Sequence, residues 1–454
     1  MGDAPPEMRE THLLHRSLVH QPHTVVNADG SELTLDNGRK IIDACGGAAV
    51  ACLGHANEEV ATAIYDQIKR VGYVHTQAYT TQVAEELADL ILDGSPFGLE
   101  KVVFVGSGSE AVETALKLAR QYFYEKGEPE RLHIVARKQA YHGNTMASMS
   151  VSSNLVRKKP YQGFCYPNTS SVSPAYAYQY QRPEESEADF TQRLIDELDA
   201  EFNRIGTNKV IAFLAETVVG ATAGCVPPPA GYLGGVKQLC EKYGILLILD
   251  EIMCGSGRCG TFFAFEPENV EPDIVTIAKG LGGGFAPVAG VLMHRKVVDV
   301  IGAGSKAFVN GHTFQAHAIS CAAALAVQKI MKRDNLIQSV AEMGKVLEKL
   351  LRSELAECKS VGDIRGRGLF WAVEFVKNKE TKEPFDTSIT FGPKVQEAAF
   401  ERGVAVYPGH GTIDGAAGDH VLLAPPYNVD EATLKKVCEA LREAIRSQEA
   451  IHMS

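Results

Sequence analysis

Through the middle of the chain, hydrophobic positions follow one repeating scheme. A short run rich in Val and Ile leads into a turn of glycines or polar residues, then a longer stretch with apolar residues every three or four positions. Lys101–Val105 opens one such unit and Gly106-Ser107-Gly108-Ser109-Glu110 makes its turn. Ala111, Ala115, Leu118 and Tyr122 line one face of the helix this spacing predicts, with Glu113 and Lys117 placed as an i,i+4 pair. Similar runs end at Ala136, Ala215, Leu249 and Ala278. Strands that are apolar at every position are covered on both faces, so the alternation predicts an α/β fold with an open, mostly parallel sheet between helices. Val288–Met293 follows a Gly-Phe-Ala-Pro turn with no room for a crossover helix and is expected to run antiparallel.

Beyond Ser320–Ile330 the texture changes. Lys/Glu-rich helices are expected around 335–357, a strand at Leu369–Phe375 and a last helix from Asp430 to about Gln448. Asn37-Gly38 is a hairpin signal, and the Pro-containing stretch 167–185, rich in Ser, Tyr and Gln, reads as a surface insertion. The expected division is an N-terminal segment, 1–60, packing with the C-terminal unit; a large unit, 61–325; and a small α+β unit, 326–454.

Composition narrows the class. The chain has 454 residues, 45% of them hydrophobic and 22% charged, with a formal net charge of −11, and this fits an ordinary globular protein with a sizeable core. Dispersed Lys and Arg in an acidic chain argue against nucleic acid as a partner. Ten cysteines without a Cys-x-x-Cys pair read as reduced thiols. The first residues, with Pro6 at a position where myristoylation wants Ser or Thr, match no secretory, transit or lipidation signal, and no apolar run is long enough to span a bilayer. A cytoplasmic protein away from membranes is expected.

Three strand ends carry the chemistry. Gly106-Ser107-Gly108-Ser109-Glu110-Ala111 lies between a strand and a helix, where glycines admit an anion and free helix amides hold it. Gly106-x-Gly108-x-x-Ala111 also matches a dinucleotide fingerprint, but the next strand ends in Ala136-Arg137 where such a site wants an acid. Ile245–Leu249 delivers Asp250 to the sheet edge, where an acid serves a metal, a protonated ring nitrogen or a loop cap. Asp273–Ala278 delivers Lys279, an amine that loses hydration at the mouth of a buried strand and can react as a nucleophile. Phosphate loop, strand-end acid and strand-end lysine together are what pyridoxal phosphate requires.

With Tyr141-His142-Gly143, Ala215-Glu216, Leu249-Asp250-Glu251-Ile252, Ala278-Lys279-Gly280 and Gly311-His312-Thr313-Phe314 in this order, the sequence resembles the class III (omega) aminotransferases over about residues 20–445. The resemblance implies pyridoxal-phosphate fold type I, with a mostly parallel seven-stranded sheet in the large unit, and no metal. It implies Lys279 as the lysine that binds the cofactor aldehyde and Asp250 as the ring-nitrogen partner. Ser107, Gly108 and Ser109 match the phosphate loop, Tyr141 and Ile252 the residues on the two ring faces, and His142 and Glu216 further cofactor contacts. Thr313 matches a residue reaching the phosphate of the neighbouring subunit, which implies a homodimer with shared sites. The reaction implied is transfer of an amino group from an amine or ω-amino acid to a keto acid, pyruvate or 2-oxoglutarate. An epimerase, aminomutase or decarboxylase on the same scaffold remains the alternative, with a nicotinamide-dependent dehydrogenase more remote.

Two departures from the family pattern concern substrate. Ala48 and Ala49 stand where amine:pyruvate relatives carry a bulky aromatic, which implies a roomier pocket unless another side chain fills it. The stretch Tyr407–His420 lacks the arginine that many relatives use for substrate carboxylates. Arg157, Arg365, Arg367, His410 and His312 are the alternatives for contacting substrate.

Overall fold

The computed structural model describes residues 12–19 and 21–453, so the expectations for the first residues lie outside the described residues. Near the amino end, β1 (Val25–Asp29), β2 (Glu32–Leu35) and β3 (Lys40–Asp43) form an antiparallel meander. Its second turn is the Asn37-Gly38 corner, where Gly38 takes a φ of +81° that a side chain would disfavour. There follow β4 (Leu99–Val105), β5 (His133–Arg137), β6 (Thr169–Val172), β7 (Val210–Glu216), β8 (Leu246–Asp250), β9 (Ile274–Ile277) and β10 (Ala289–His294). The C-terminal strands are β11 (Val361–Arg367), β12 (Phe370–Phe375), β13 (Val404–Ala405), β14 (Tyr407–His410) and β15 (Asp419–Leu423).

The central sheet has seven strands in the order β4-β10-β9-β8-β7-β5-β6. Its pairings are parallel except along β10, which runs antiparallel to both β4 and β9, as its short connection requires. Every residue of β7, β8 and β9 is buried. Successive side chains of a strand point to opposite faces. Leu246 and Ile248 accordingly pack with Ala111, Ala115 and Leu118 of the helix Gly108–Glu125, whereas Leu247 and Leu249 pack with Leu194, Leu198 and Leu239 on the other side. With both faces closed, the sheet leaves its carboxyl edge as the place for a ligand.

A second sheet has the order β11-β12-β15-β14, and a third joins β1-β2-β3 to β13. The parallel pairing of β3 with β13 ties the amino end to the carboxyl end, and Ala44, Cys52 and Leu53 share a core with Val340, Leu347, Val395 and Leu441. The expected C-terminal helices are found at Leu336–Glu354 and Glu431–His452. All ten cysteines are unpaired, and among the described residues no helix is long and apolar enough to cross a membrane.

Two local expectations fail. The stretch 167–185 is no surface insertion: it supplies β6, the edge strand paired with β5, and the buried Tyr176. Glu113 and Lys117 do not pair with each other. Glu113 instead accepts hydrogen bonds from the Thr145 hydroxyl at 2.7 Å and the Ala147 amide at 3.0 Å, where it caps the helix Met146–Val151, while Lys117 donates to Asn310.

Candidate active site

The ends of β4, β7, β8 and β9 open on a cavity of about 480 Å³. Its wall contains Ser107, Gly108, Ser109, Tyr141, His142, Glu216, Asp250, Ile252 and Lys279. Of the residues expected from sequence, Thr313 alone lies elsewhere, exposed on the loop before the helix Ala318–Arg333.

One side of the cavity is built for an anion. Ser107 caps the helix Gly108–Glu125, its hydroxyl accepting from the Glu110 amide at 3.3 Å. The Ser109 hydroxyl accepts from the Asn144 amide at 3.0 Å, fixing the Tyr141-His142-Gly143 loop to the same helix end. The first turn of a helix has amides without intrahelical partners and a positive dipole end, and Gly108 and Ser109 bring that turn to the cavity wall. Gly108 is tightly enclosed: a Cβ there would come within 3.0 Å of the Ile252 side chain.

The floor is acidic. Glu216 and Asp250 close β7 and β8 and are register partners across the two strands. Asp250, 3% exposed, has one oxygen 2.7 Å from His142 Nδ1, and its other oxygen accepts from the Ile252 amide at 3.0 Å. The His142 ring is fully buried and its Nε2 has no partner among the described residues. Glu216 accepts from the amides of Tyr141 at 3.1 Å and Gly220 at 2.9 Å, and burial pushes its carboxyl up. Arg137, unsuited to a dinucleotide site, is buried here and donates to the Glu216 carbonyl.

Lys279 begins a single 3-10 turn, Lys279–Leu281, immediately after β9. Its φ of +42° is one a non-glycine residue holds only when its surroundings impose it. The surroundings include Gln328, whose amide donates to the carbonyls of Gly280 at 3.2 Å and Leu281 at 2.8 Å. Burial lowers the Lys279 amine to about 8, against the opposing pull of Glu216 and Asp250. A cavity that combines a dehydrated amine, a strand-end carboxylate anchored by a histidine, a tight glycine and two serines at a helix N-terminus fits pyridoxal phosphate.

The profile of the aminotransferase class-III family matches residues 15–445. The chain belongs to that family. It is 46% identical to an uncharacterized aminotransferase of Schizosaccharomyces pombe over 439 residues, 97% of this chain and 96% of the relative. Among solved structures, the omega transaminase of Pseudomonas jessenii in complex with PMP superposes with a TM-score of 0.91 at 28% identity, covering 98% of this chain and 97% of that one. An amine transaminase from an uncultivated Pseudomonas species in its PLP-bound form gives 0.90 at 28% identity, covering 98% and 99%. The fold is therefore that of the pyridoxal-phosphate-dependent transaminases, and the chain is an enzyme of amino-group transfer that uses this cofactor. The nicotinamide reading falls with this assignment.

The mouth of this class III enzyme's cavity holds what sequence reasoning missed. Val50, Met253, Pro287 and Tyr407 line it beside Ala48, and so does Arg16, from a segment with no periodicity to mark it. Of the residues weighed for substrate contact, Arg365 is spent on Asp363 at 2.8 Å, Glu374 at 2.6 Å and the Gly224 carbonyl at 2.7 Å. Arg367 is held by Glu268 and the Ala264 carbonyl, both at 3.0 Å. His410 meets Asp419 at 2.7 Å and His312 meets Glu110 at 3.4 Å. Arg157 lines the cavity.

Proposed function

We propose that this enzyme moves an amino group from an amine or ω-amino acid to a keto acid, pyruvate or 2-oxoglutarate, in a ping-pong sequence. The observation that carries this reading is the half-buried Lys279 amine, lowered to about 8 by partial loss of solvent, in one cavity with Asp250 and the serine-lined helix end. Bound pyridoxal phosphate supplies an aldehyde that condenses with amines and a ring that accepts the electrons of a breaking α-C–H bond. Lys279 would hold that aldehyde, and its amine is the group placed to move the proton of the substrate α-carbon. Asp250, fixed by His142 and the Ile252 amide, presents a carboxylate that keeps a ring nitrogen protonated. Ser107, Gly108 and Ser109 bind the phosphate, Tyr141 and Ile252 enclose the ring, and Glu216 orients its polar edge. His142 acts on the cofactor through Asp250.

The working form is a homodimer with shared sites, in which Thr313 reaches the neighbouring subunit. Val309 and Phe314 support this reading, since they expose apolar side chains on the same loop and Tyr73 packs edge-on to Phe314 at 6.1 Å. The unpaired cysteines suit a reducing, cytoplasmic setting. The division we assign is a cofactor-binding domain, 61–325, and a small domain, 326–454, completed by the segment 1–60.

Holoenzyme mixed with an amine donor alone should release one equivalent of carbonyl product per site with loss of the visible cofactor band, and the band should return when keto acid is added. Continuous loss of the donor's chirality with no acceptor present would overturn amino transfer in favour of epimerisation.

A further inference from the structure

We propose that Arg157 is the carboxylate-binding residue for the keto-acid substrate, an assignment that rests on the transaminase reading above and adds to it the residue that selects the acceptor. The stretch 407–420 has no arginine to offer, and it is fastened down. The Ile413 carbonyl accepts from the Gln139 amide and the Tyr180 hydroxyl, Thr412 bonds His420 at 2.9 Å and His410 bonds Asp419 at 2.7 Å. The arginines of the C-terminal sheet are consumed by Asp363, Glu374 and Glu268. Among the described residues, the lysine and arginine side chains at the cavity wall are Lys279, half-buried at the floor, and Arg16 and Arg157, both exposed at the mouth.

Arg157 has the position and the unspent donors. Its guanidinium stands 5.2 Å from the centre of the Tyr141 ring, and among the described residues its side chain forms no ion pair or hydrogen bond. The segment that carries it is anchored on either side: the Arg157 amide donates to Asn154 at 3.2 Å, and Lys158 donates to the carbonyls of Ser150 at 2.7 Å and Ser152 at 3.0 Å. Lys158 is thereby spent on the backbone while the next residue toward the amino end points a free fork at the cavity. A planar guanidinium with two parallel N–H groups matches a carboxylate, and resting on an aromatic face holds it in place at little cost in entropy. The acids of the wall, Glu216 and Asp250, are buried at the floor, so among the described residues no carboxylate lining the mouth competes for it. Ala48, Val50 and Tyr407 leave an apolar part of the mouth for a donor's side chain.

The test separates acid recognition from a structural duty toward Tyr141. Arg157→Gln and Arg157→Lys holoenzymes are assayed with one amine donor against two acceptors, pyruvate and phenylacetaldehyde, which lacks a carboxylate. The assignment expects the pyruvate KM of Arg157→Gln to rise by about tenfold or more, the scale of losing a charge-assisted pair, with Arg157→Lys between it and the parent and the aldehyde KM moving less than about threefold. An unchanged pyruvate KM overturns it. Equal rises for both acceptors also overturn it, because they mean that Arg157 only supports Tyr141. Failure of the underlying reading would show separately, as an unmutated holoenzyme whose visible spectrum does not respond to amine donors.

Discussion

Partial withdrawal of Lys279 from solvent sets the pH at which its amine reacts. A free lysine near 10.5 is well under about 1% neutral at pH 8, whereas an amine lowered to about 8 is roughly half neutral there. Only the neutral form attacks an aldehyde, and lowering the folded-state value extends reactivity downward in pH. The rate at which apoprotein captures pyridoxal phosphate, followed by growth of the visible band, should therefore climb with pH and level off above about 8; a rise continuing to about 10 would mean that the amine is solvated. Lys279 and Asp250 were legible in the sequence because each ends a run of buried strand residues, so the pattern fixed their depth as well as their edge. Arg16 was not legible, since nothing in an aperiodic segment tells where the chain folds back.

At the scale of elements, alternation of apolar runs and helical spacing predicted the central sheet and the antiparallel β10 because covered strands leave an unbroken hydrophobic signature. The edge strand β6 escaped for the complementary reason: Thr169–Val172 is half exposed and mostly hydroxylic, so only its pairing with β5 makes it a strand. The Glu113–Lys117 pair failed because a nearby helix start offers Glu113 an amide and a hydroxyl, stronger partners than an exposed lysine. The helix Gly108–Glu125 carries a testable role through its cap. Ser107→Ala should cost about 1 kcal/mol of stability by losing the bond to the Glu110 amide, and should also weaken the binding of inorganic phosphate to apoprotein in calorimetry. A cap with no part in the anion site would show the first effect without the second.

For the whole molecule, one buried cation joins the C-terminal sheet to the loop beyond β7. Arg365 on β11 bonds the carbonyls of Ala223 and Gly224, pairs with Glu374 and lies 4.7 Å from the centre of the Tyr176 ring. Arg365→Met would leave Glu374, 1% exposed, without its counter-charge, and should lower the unfolding free energy by about 3–5 kcal/mol in a urea titration; a loss within about 0.5 kcal/mol would show the pair to be dispensable. Burial of Arg365 against two elements gives it a structural role and removes it from the residues weighed for substrate contact. Everything at the cavity converges on one amine among the chain's many lysines. The most direct measurement is borohydride reduction of protein loaded with pyridoxal phosphate, followed by peptide mass spectrometry. A single pyridoxyl group on Lys279 is the predicted result; a label on another lysine, or no label on a fully folded protein, would contradict the account.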